Sequence, residues 1–424
     1  MSFPEAFSAA LRFGIPGSLV SLEPYGKGHV NLTFLCRWRQ GAAAEGAEAS
    51  AEAEASAEAE ASAEAEASAA SAGDAAAERL YILQRINRQV FKRPRDLMSN
   101  AKRVSDHFRL SLEREGAADI GRRCLCFLPS DSGDPWHEDA SGEYWRCSPF
   151  IPGGVAMEPE DPSRRALVPA PSSPTALEAL GILGAAIGEF QRRVSDLPPP
   201  RLFETIPRFH DMGSRYLRFE EALEADPAGR VISAREEIAF FLTNRERGMT
   251  LARMVGQGLL PERICHNDAK MDNILVSQGD GGDNIAQRVC VIDLDTVMPG
   301  TVLFDFGDLV RSAASTAKED EEDLAKVRFD SSRYAALLEG YLSEARGFLL
   351  PVEAALLPEA GRAMAQIMGL RFLTDYLDGD RYYRIDCPDH NLRRCRNQAA
   401  LIKSMDEARD EMDRMTQRAL APGS

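Results

Sequence analysis

The 424-residue chain lacks the marks of several broad protein classes. Its eight cysteines, at 36, 124, 126, 147, 265, 290, 387 and 395, include no CxxC pair, and Cys124 and Cys126 stand too isolated for a zinc knuckle. Reduced, buried or half-buried thiols in a cytoplasmic protein are the expectation. Only six histidines occur, and they are scattered, which argues against a metallohydrolase with a His-rich ligand set. No apolar run approaches the ~18 residues that a membrane-spanning helix needs. The first residues, MSFPEAFSAALRFG, lack the basic start and long apolar stretch of a secretory leader. A GxxxxGK[ST] phosphate loop is absent. Basic residues are in deficit, with 50 Lys and Arg against 66 Asp and Glu. The net charge of −16 argues against a nucleic-acid or anionic-membrane binder. Nothing singles out an obligate protein partner.

What is present is unevenly spread. Residues 42–78 hold ten acidic residues and no Lys or Arg, leaving only −6 on the other 387 residues. Within that stretch AEAEAS repeats at 51–56, 57–62 and 63–68. Alanine favours helix, but Glu pairs four apart repel, and no large apolar side chain is there to bury. The segment is therefore expected to be a disordered insert or fluctuating helix. Alternating apolar residues flank it, in HVNLTFLCRW before and RLYILQRIN after. They predict a β-hairpin whose tip carries the insert. Helical spacing follows over Val90–Leu112, then a turn-rich patch and the strand-like YWRCSPFI. Residues 152–174 form a Pro/Gly/Ser-rich connector, and from about 174 the pattern is mainly helical. These shifts predict two lobes, residues 1–150 and 151–424.

The chemistry concentrates in ICHNDAKMDNILV (264–276) and VCVIDLDTVMPG (289–300). Two strand-like runs each deliver polar groups at one end. Asp268 and Asn273 are five residues apart across a loop, and Asp293 and Asp295 are expected on one side of an extended chain. Phosphoryl transfer needs these parts: a carboxylate to orient the attacking hydroxyl and take its proton, and hard oxygens to hold Mg²⁺ against nucleotide phosphates. Each run alone is an ordinary turn or strand end. Together, at this spacing, they point to a kinase-type site. On chemistry alone, His266 competes with Asp268 as the base.

HNDxxxxN followed by VIDLD resembles the aminoglycoside phosphotransferase and choline kinase superfamily. Longer segments, among them VIDLDTVMPGTVLFDFGDLVR, ETIPRFHDMGSRYLRFEEALEADPAGR and RFLTDYLDGDRYYRIDCPDHNLRRCRNQ, are similar to the N-acetylhexosamine 1-kinases within it. The resemblance runs from about residue 25 to 402 and leaves the insert without a counterpart. It implies an α+β, bilobal protein-kinase-like fold, with a small β-rich N-terminal lobe for nucleotide and a larger, mainly helical C-terminal lobe. It implies transfer of the ATP γ-phosphate to the anomeric hydroxyl of a sugar.

Carried over by position, Asp268 matches the catalytic Asp, Asn273 and Asp293 the Mg²⁺ ligands, and Asp295 a further acid near the metal. Asp305 matches an Asp that braces the catalytic loop, and His266 a structural neighbour of the base. Gly26 and Gly28, in PYGKGHVN, would let backbone N–H groups approach phosphate. The resemblance makes His29 and Asn31 of that loop sugar contacts. The third-strand position of the phosphate-holding cation falls on Gln84 with Arg85 beside it; adjacent strand residues face opposite ways, so only one of them can face the nucleotide, and the cation itself is left unassigned. Adenine is expected against the backbone of Ser148–Ile151. Arg371, Asp375, Tyr376 and Tyr383 would supply donors and an aromatic face to the sugar. The alternatives left open are a choline, homoserine or aminoglycoside kinase of the same fold, and a nucleotide-binding pseudokinase.

Overall fold

The computed structural model describes residues 3–26, 30–40, 78–152, 154–156, 174–277 and 289–421. The chain divides into two compact units, one of residues 1–87 and 127–150, the other of residues 88–126 and 151–424.

The first unit is a small sheet with one helix. It contains α1 (Pro4–Ala10), β1 (Ser18–Pro24), β2 (Leu32–Arg39), β3 (Glu78–Arg85), β4 (His137–Glu138) and β5 (Tyr144–Pro149). The strands are antiparallel, in the order β1-β2-β3-β5-β4. Strand periodicity explains its core. Phe34, Cys36 and Trp38 of β2 alternate inward, as do Tyr81 and Leu83 of β3, and they bury against Ala6, Ala9 and Phe13.

The expected hairpin is present. Strands β2 and β3 pair along their full length, from Leu32 with Arg85 to Arg39 with Glu78. Glu78, counted in the insert from composition, begins β3; residues 42–77 lie outside the described residues. A deletion of 42–77 would join Arg39 to Glu78 through Gln40-Gly41, a two-residue link with glycine where a tight hairpin turn favours it. We expect the deletion variant to keep the parent's thermal midpoint within a few degrees. A broad, early melt by calorimetry would contradict this.

The second unit is mainly helical. Its helices are α2 (Pro94–Arg114), α3 (Ile120–Arg123), α4 (Pro174–Val194), α5 (Met212–Ala225), α6 (Arg235–Thr243), α7 (Arg245–Gly248), α8 (Thr250–Gly256), α9 (Val302–Ala313), α10 (Ser331–Ala345), α11 (Pro351–Ala355), α12 (Leu357–Leu377), α13 (His390–Glu407) and α14 (Arg409–Leu420). Its strands are β6 (Gly154–Ala156), β7 (Arg263–Cys265), β8 (Ile274–Ser277), β9 (Val289–Val291) and β10 (Met298–Gly300). They form the sheet β6-β8-β9 and the pair β10-β7. Among the described residues no helix is long and apolar enough to cross a membrane.

Two apolar clusters hold the helices. One gathers α4, α9, α10 and the start of α12 around Leu183, Ile187, Phe306, Leu337 and Tyr341. The other joins α5, α6, α12 and α13 around Tyr216, Phe219, Phe241, Phe372 and Ile402. Helices α4 and α10 approach closely, because glycine is required at the contact: a Cβ on Gly340 would overlap the Gly181 carbonyl, and one on Gly184 the Leu337 carbonyl. The sequence division placed residues 88–126 with the first lobe, whereas they pack with the helical unit. Asn100 Nδ2 of α2 donates to the carbonyls of Phe203 and Val297, and Ser111 accepts from Arg193 of α4. The start of α2 at Pro94, four residues after the expected Val90, places proline in the first helical turn, where its missing N–H has no partner to lose.

Candidate active site

The loop after β7 carries the candidate base. Asp268 follows Asn267, which adopts a left-handed φ of 62°, a conformation asparagine tolerates better than most residues. Asn267 Nδ2 donates to the carbonyls of Cys265, Thr296 and Met298, so it stitches this loop to the one before β10. Gly300 is small for that reason: a Cβ there would sit 2.8 Å from Asn267 Oδ1.

Asp305, at the start of α9 and fully buried, braces the loop from below. Its Oδ2 accepts from the His266 amide at 2.9 Å and its Oδ1 from the Asn267 amide at 2.7 Å. Gln191 Nε2 of α4 donates to the same carboxylate at 3.0 Å, and Tyr341 Oη of α10 donates to Gln191 Oε1 at 2.6 Å. The loop is thereby anchored to the helix pair described above. Among the sequence expectations, this brace had been implied by resemblance alone.

His266 cannot serve as the base in this arrangement. Its Nε2–H donates to the Ile292 carbonyl at 2.8 Å, and Nδ1 accepts from the Asp268 amide at 3.3 Å. Both ring nitrogens are engaged, and the side chain is fully buried. Asp268 is different. Its Oδ2 accepts from Asn273 Nδ2 at 2.8 Å and lies 3.4 Å from Lys270 Nζ, with about 31% of the side chain still exposed. Burial raises its pKa, but Lys270, His266 and Asn273 outweigh burial and hold the carboxyl below its ordinary value. It is therefore a carboxylate at neutral pH.

Asn273 Nδ2 also donates to the Asp268 backbone carbonyl at 2.8 Å. That fixes the amide and leaves Oδ1, a hard oxygen, without a bond among the described residues. Lys270, which the sequence reading passed over, takes an upward pKa shift from Asp268 first and then, against burial, from Asp293, Asp272 and Asp308. Four carboxylates thus act electrostatically on one cation. The DxK spacing inside HNDAK was its only sequence signal.

The second acidic run departs from the expectation. Strand β9 stops at Val291, and Asp293 turns the chain with φ 61° and ψ 57° into a 3-10 turn over Leu294–Thr296. Two-residue alternation therefore does not govern Asp293 and Asp295. Asp295 is buried, 3% exposed, and its carbonyl accepts from Thr205 Oγ1.

In the first unit, Gln84 and Arg85 do face opposite ways. Arg85 shares the α1-covered face with Leu83 and lies over the Trp145 ring at 6.0 Å. Gln84 Nε2 donates to Thr33 Oγ1 at 3.1 Å, and its Oε1 accepts from Arg146 Nε at 2.9 Å. Arg146, missed in the sequence, is the cation that sits with Gln84. Ser148 pairs with Ile82 in the sheet, and Ile151 is buried in the second unit. Gly26 has φ +77°, a turn conformation that glycine supplies. Gly28 and His29 lie outside the described residues. Asn31 Oδ1 accepts from the Asn87 amide at 3.0 Å and so ties the start of β2 to the end of β3.

The four C-terminal candidates separate into two groups. Asp375 accepts from the amides of Arg381, Tyr382 and Tyr383 and from Asn391 Nδ2. It is 5% exposed and holds the turn that carries the tyrosines, which leaves no carboxylate oxygen for a sugar. Tyr376 is 2% exposed; its Oη lies 3.0 Å from Ser233 Oγ, and Arg230 covers its ring at 4.6 Å. Arg371 and Tyr383 meet: the guanidinium lies 5.4 Å from the Tyr383 ring, 5.7 Å from Tyr382 and 4.8 Å from Phe209.

His210, next to Phe209, was not singled out in the sequence. Its Nε2–H donates to the Asn267 carbonyl at 2.8 Å, joining this aromatic group to the Asp268 loop. Burial pushes its pKa down to about 3, so the ring is neutral in the folded state. The unfolded chain binds the proton near pH 6.5. The stability this contributes is full above pH 6.5 and declines as pH falls toward 3. Between pH 7 and 5 the loss should be about 2 kcal/mol. Denaturant midpoints of the parent and a His210→Gln variant at both pH values test it: equal losses in the two proteins would refute the assignment.

A cavity of about 280 Å³ is lined by Gln191, Pro199, Arg201, Arg263, Ile264 and Phe348 among others. None of Asp268, Asp293 or Asp305 lines it.

Residues 136–341 match the model of the phosphotransferase enzyme family, a span that includes Asp268, Lys270, Asn273, Asp293 and Asp305. The chain is a phosphotransferase. Among solved structures, it is similar to a choline/ethanolamine kinase family protein from Mesorhizobium loti, at 15% identity over 98% of each chain with a TM-score of 0.47. A choline kinase from Cryptosporidium parvum Iowa II is 12% identical over 92% of this chain and 90% of that one, with a TM-score of 0.49. A spectinomycin phosphotransferase, in complex with ADP and spectinomycin, is 10% identical over 97% and 95%, with a TM-score of 0.43. The phosphotransferase shows the expected fold class, with a small β-rich unit and a larger, mainly helical one.

Proposed function

We propose that this phosphotransferase is a small-molecule kinase that transfers the γ-phosphoryl group of ATP to the anomeric hydroxyl of an N-acetylhexosamine. The observation that carries the reading is Asp268, held as a carboxylate by Lys270 and Asn273 on a loop braced by Asp305. Asp268 accepts a hydrogen bond from the acceptor hydroxyl, aligns its oxygen and takes its proton as the new bond forms. A carboxylate of lowered pKa is a weak base, so alignment contributes more than basicity, as a loose phosphoryl transition state allows.

Lys270 keeps Asp268 ionised and adds positive charge where phosphate charge develops. The donor set suits Mg²⁺: one amide oxygen from Asn273 and one carboxylate from Asp293, within a group of acids with few cations. Mg²⁺ is commonly held by one or two carboxylates together with phosphate oxygens. When bound there it would neutralise charge on the transferring phosphates.

The hexosamine assignment rests on the segments quoted above, VIDLDTVMPG and DYLDGDRYY foremost. One further observation supports it over choline. The Phe209, Tyr382 and Tyr383 rings already enclose a cation, Arg371. A quaternary ammonium acceptor would meet like charge there. The test is a panel of N-acetylhexosamines, other sugars, choline, homoserine and aminoglycosides with Mg²⁺-ATP, read as ADP release. We expect the N-acetylhexosamines to turn over fastest. ADP at background with every one of them would sink the assignment.

A further inference from the structure

The second unit pairs its part-buried arginines with carboxylates. Arg193, Arg263, Arg311 and Arg362 sit 2.6–2.9 Å from Glu115, Glu353, Asp308 and Asp406. In an acidic chain such partners are plentiful. Arg215 and Arg371 have no such partner. Arg215 Nε and Nη2 donate to the Phe209 carbonyl, and Arg371 Nη1 reaches only the Met368 sulfur at 3.4 Å. Among the described residues neither has a carboxylate within ion-pair distance.

The two guanidiniums are neighbours. Both lie against the Phe209 ring, at 5.9 and 4.8 Å. Each is half-buried. Burial first, and then the Arg371 charge, push Arg215 down to about 10, whereas Arg371, against burial, is held above its ordinary value by Tyr383, Tyr382, Asp268 and Asp308. Two buried polar atoms beside them also lack partners among the described residues: Tyr383 Oη and His210 Nδ1. Native structures rarely leave such a group of donors and acceptors incomplete. Asp268 acts electrostatically on Arg371 and on His210, so the cluster adjoins the reactive carboxylate.

We propose that Arg215 and Arg371 form an oxyanion subsite on the acceptor side of Asp268, which holds the phosphate of the phosphorylated product. The physical need is plain. A phosphomonoester formed beside an ionised Asp268 is repelled by it, and two forked cations offset that repulsion. Guanidinium suits the task, because its planar donors match two phosphate oxygens at once. Tyr383 Oη supplies a further donor, and His210 Nδ1 an acceptor for a ligand hydroxyl. This rests on the phosphotransfer reading and not on the identity of the sugar.

The test is calorimetric titration of the full chain, without nucleotide or metal, using inorganic phosphate and N-acetylglucosamine 1-phosphate. We expect saturable binding of both. Arg215→Gln and Arg371→Gln should each weaken it by about ten-fold or more, the usual scale for a charge-assisted hydrogen bond. Arg215→Lys and Arg371→Lys keep the charge, and should retain part of the affinity if the glutamine variants fail to fold. No saturable binding in the parent, unchanged affinity in folded glutamine or lysine variants, or preference for glucuronate over both phosphates would overturn the subsite. Phosphate binding that depends on the arginines, in a chain that ignores every N-acetylhexosamine, would leave the subsite standing and remove the sugar assignment.

Discussion

Replacing Asp268 by Asn is expected to lower kcat by about 10²–10⁴-fold, the range for losing a positioned general base. The substitution is nearly isosteric. Asn can still accept from Asn273 and sit beside Lys270, so the thermal midpoint should stay within a few degrees of the parent. Positioning survives in part, because an amide oxygen also accepts a hydrogen bond from the acceptor hydroxyl. What is lost is the negative charge and the proton sink. Near-normal turnover in the variant would transfer the base role away from Asp268. The pH profile adds a second reading. Because the Asp268 carboxyl lies below its ordinary value, the carboxylate persists above that pKa and is lost only as pH falls through it. Any decline in kcat/KM above about pH 5 must then come from another group.

Replacing Asp305 by Ala should damage stability and turnover together. Its carboxylate satisfies the amides of His266 and Asn267 and the side chain of Gln191. Removing it leaves three buried donors unpaired, at about 1–3 kcal/mol each. A loss on the order of 3 kcal/mol or more is expected by denaturant titration. Turnover should fall as well, because the loop that aims Asp268 loses its anchor. Asp305→Asn should recover part of the stability, since its amide oxygen can still accept. A folded Asp305→Ala protein of parental stability and activity would show that the loop is held elsewhere.

Much of this site could be read from sequence because its parts are close in the chain. The five-residue step from Asp268 to Asn273 needs only a local turn, and the structure joins the two side chains directly. The β2–β3 pairing was likewise legible from alternation on both sides of the insert. Where the reading failed, distant partners decided the outcome. Asp375 looked available until donors from residues 381–391 took its oxygens. Asp293 and Asp295 were placed on one side by strand periodicity, but the strand ended two residues before Asp293. His210 gave no local signal at all, since its contact is with a backbone carbonyl 57 residues on. Residues 88–126 followed the bonds of Asn100 and Ser111, which no periodicity encodes.

The cross-strand pair Arg39–Glu78 has a practical consequence. The two strand ends that bracket the insert are held side by side by the sheet itself, so whatever joins them need only bridge a few ångströms. That makes the junction a port. A reporter or affinity domain whose own termini lie close together could replace residues 42–77 without pulling on either strand. The same geometry permits new chain termini to be opened there, with the native ends linked elsewhere.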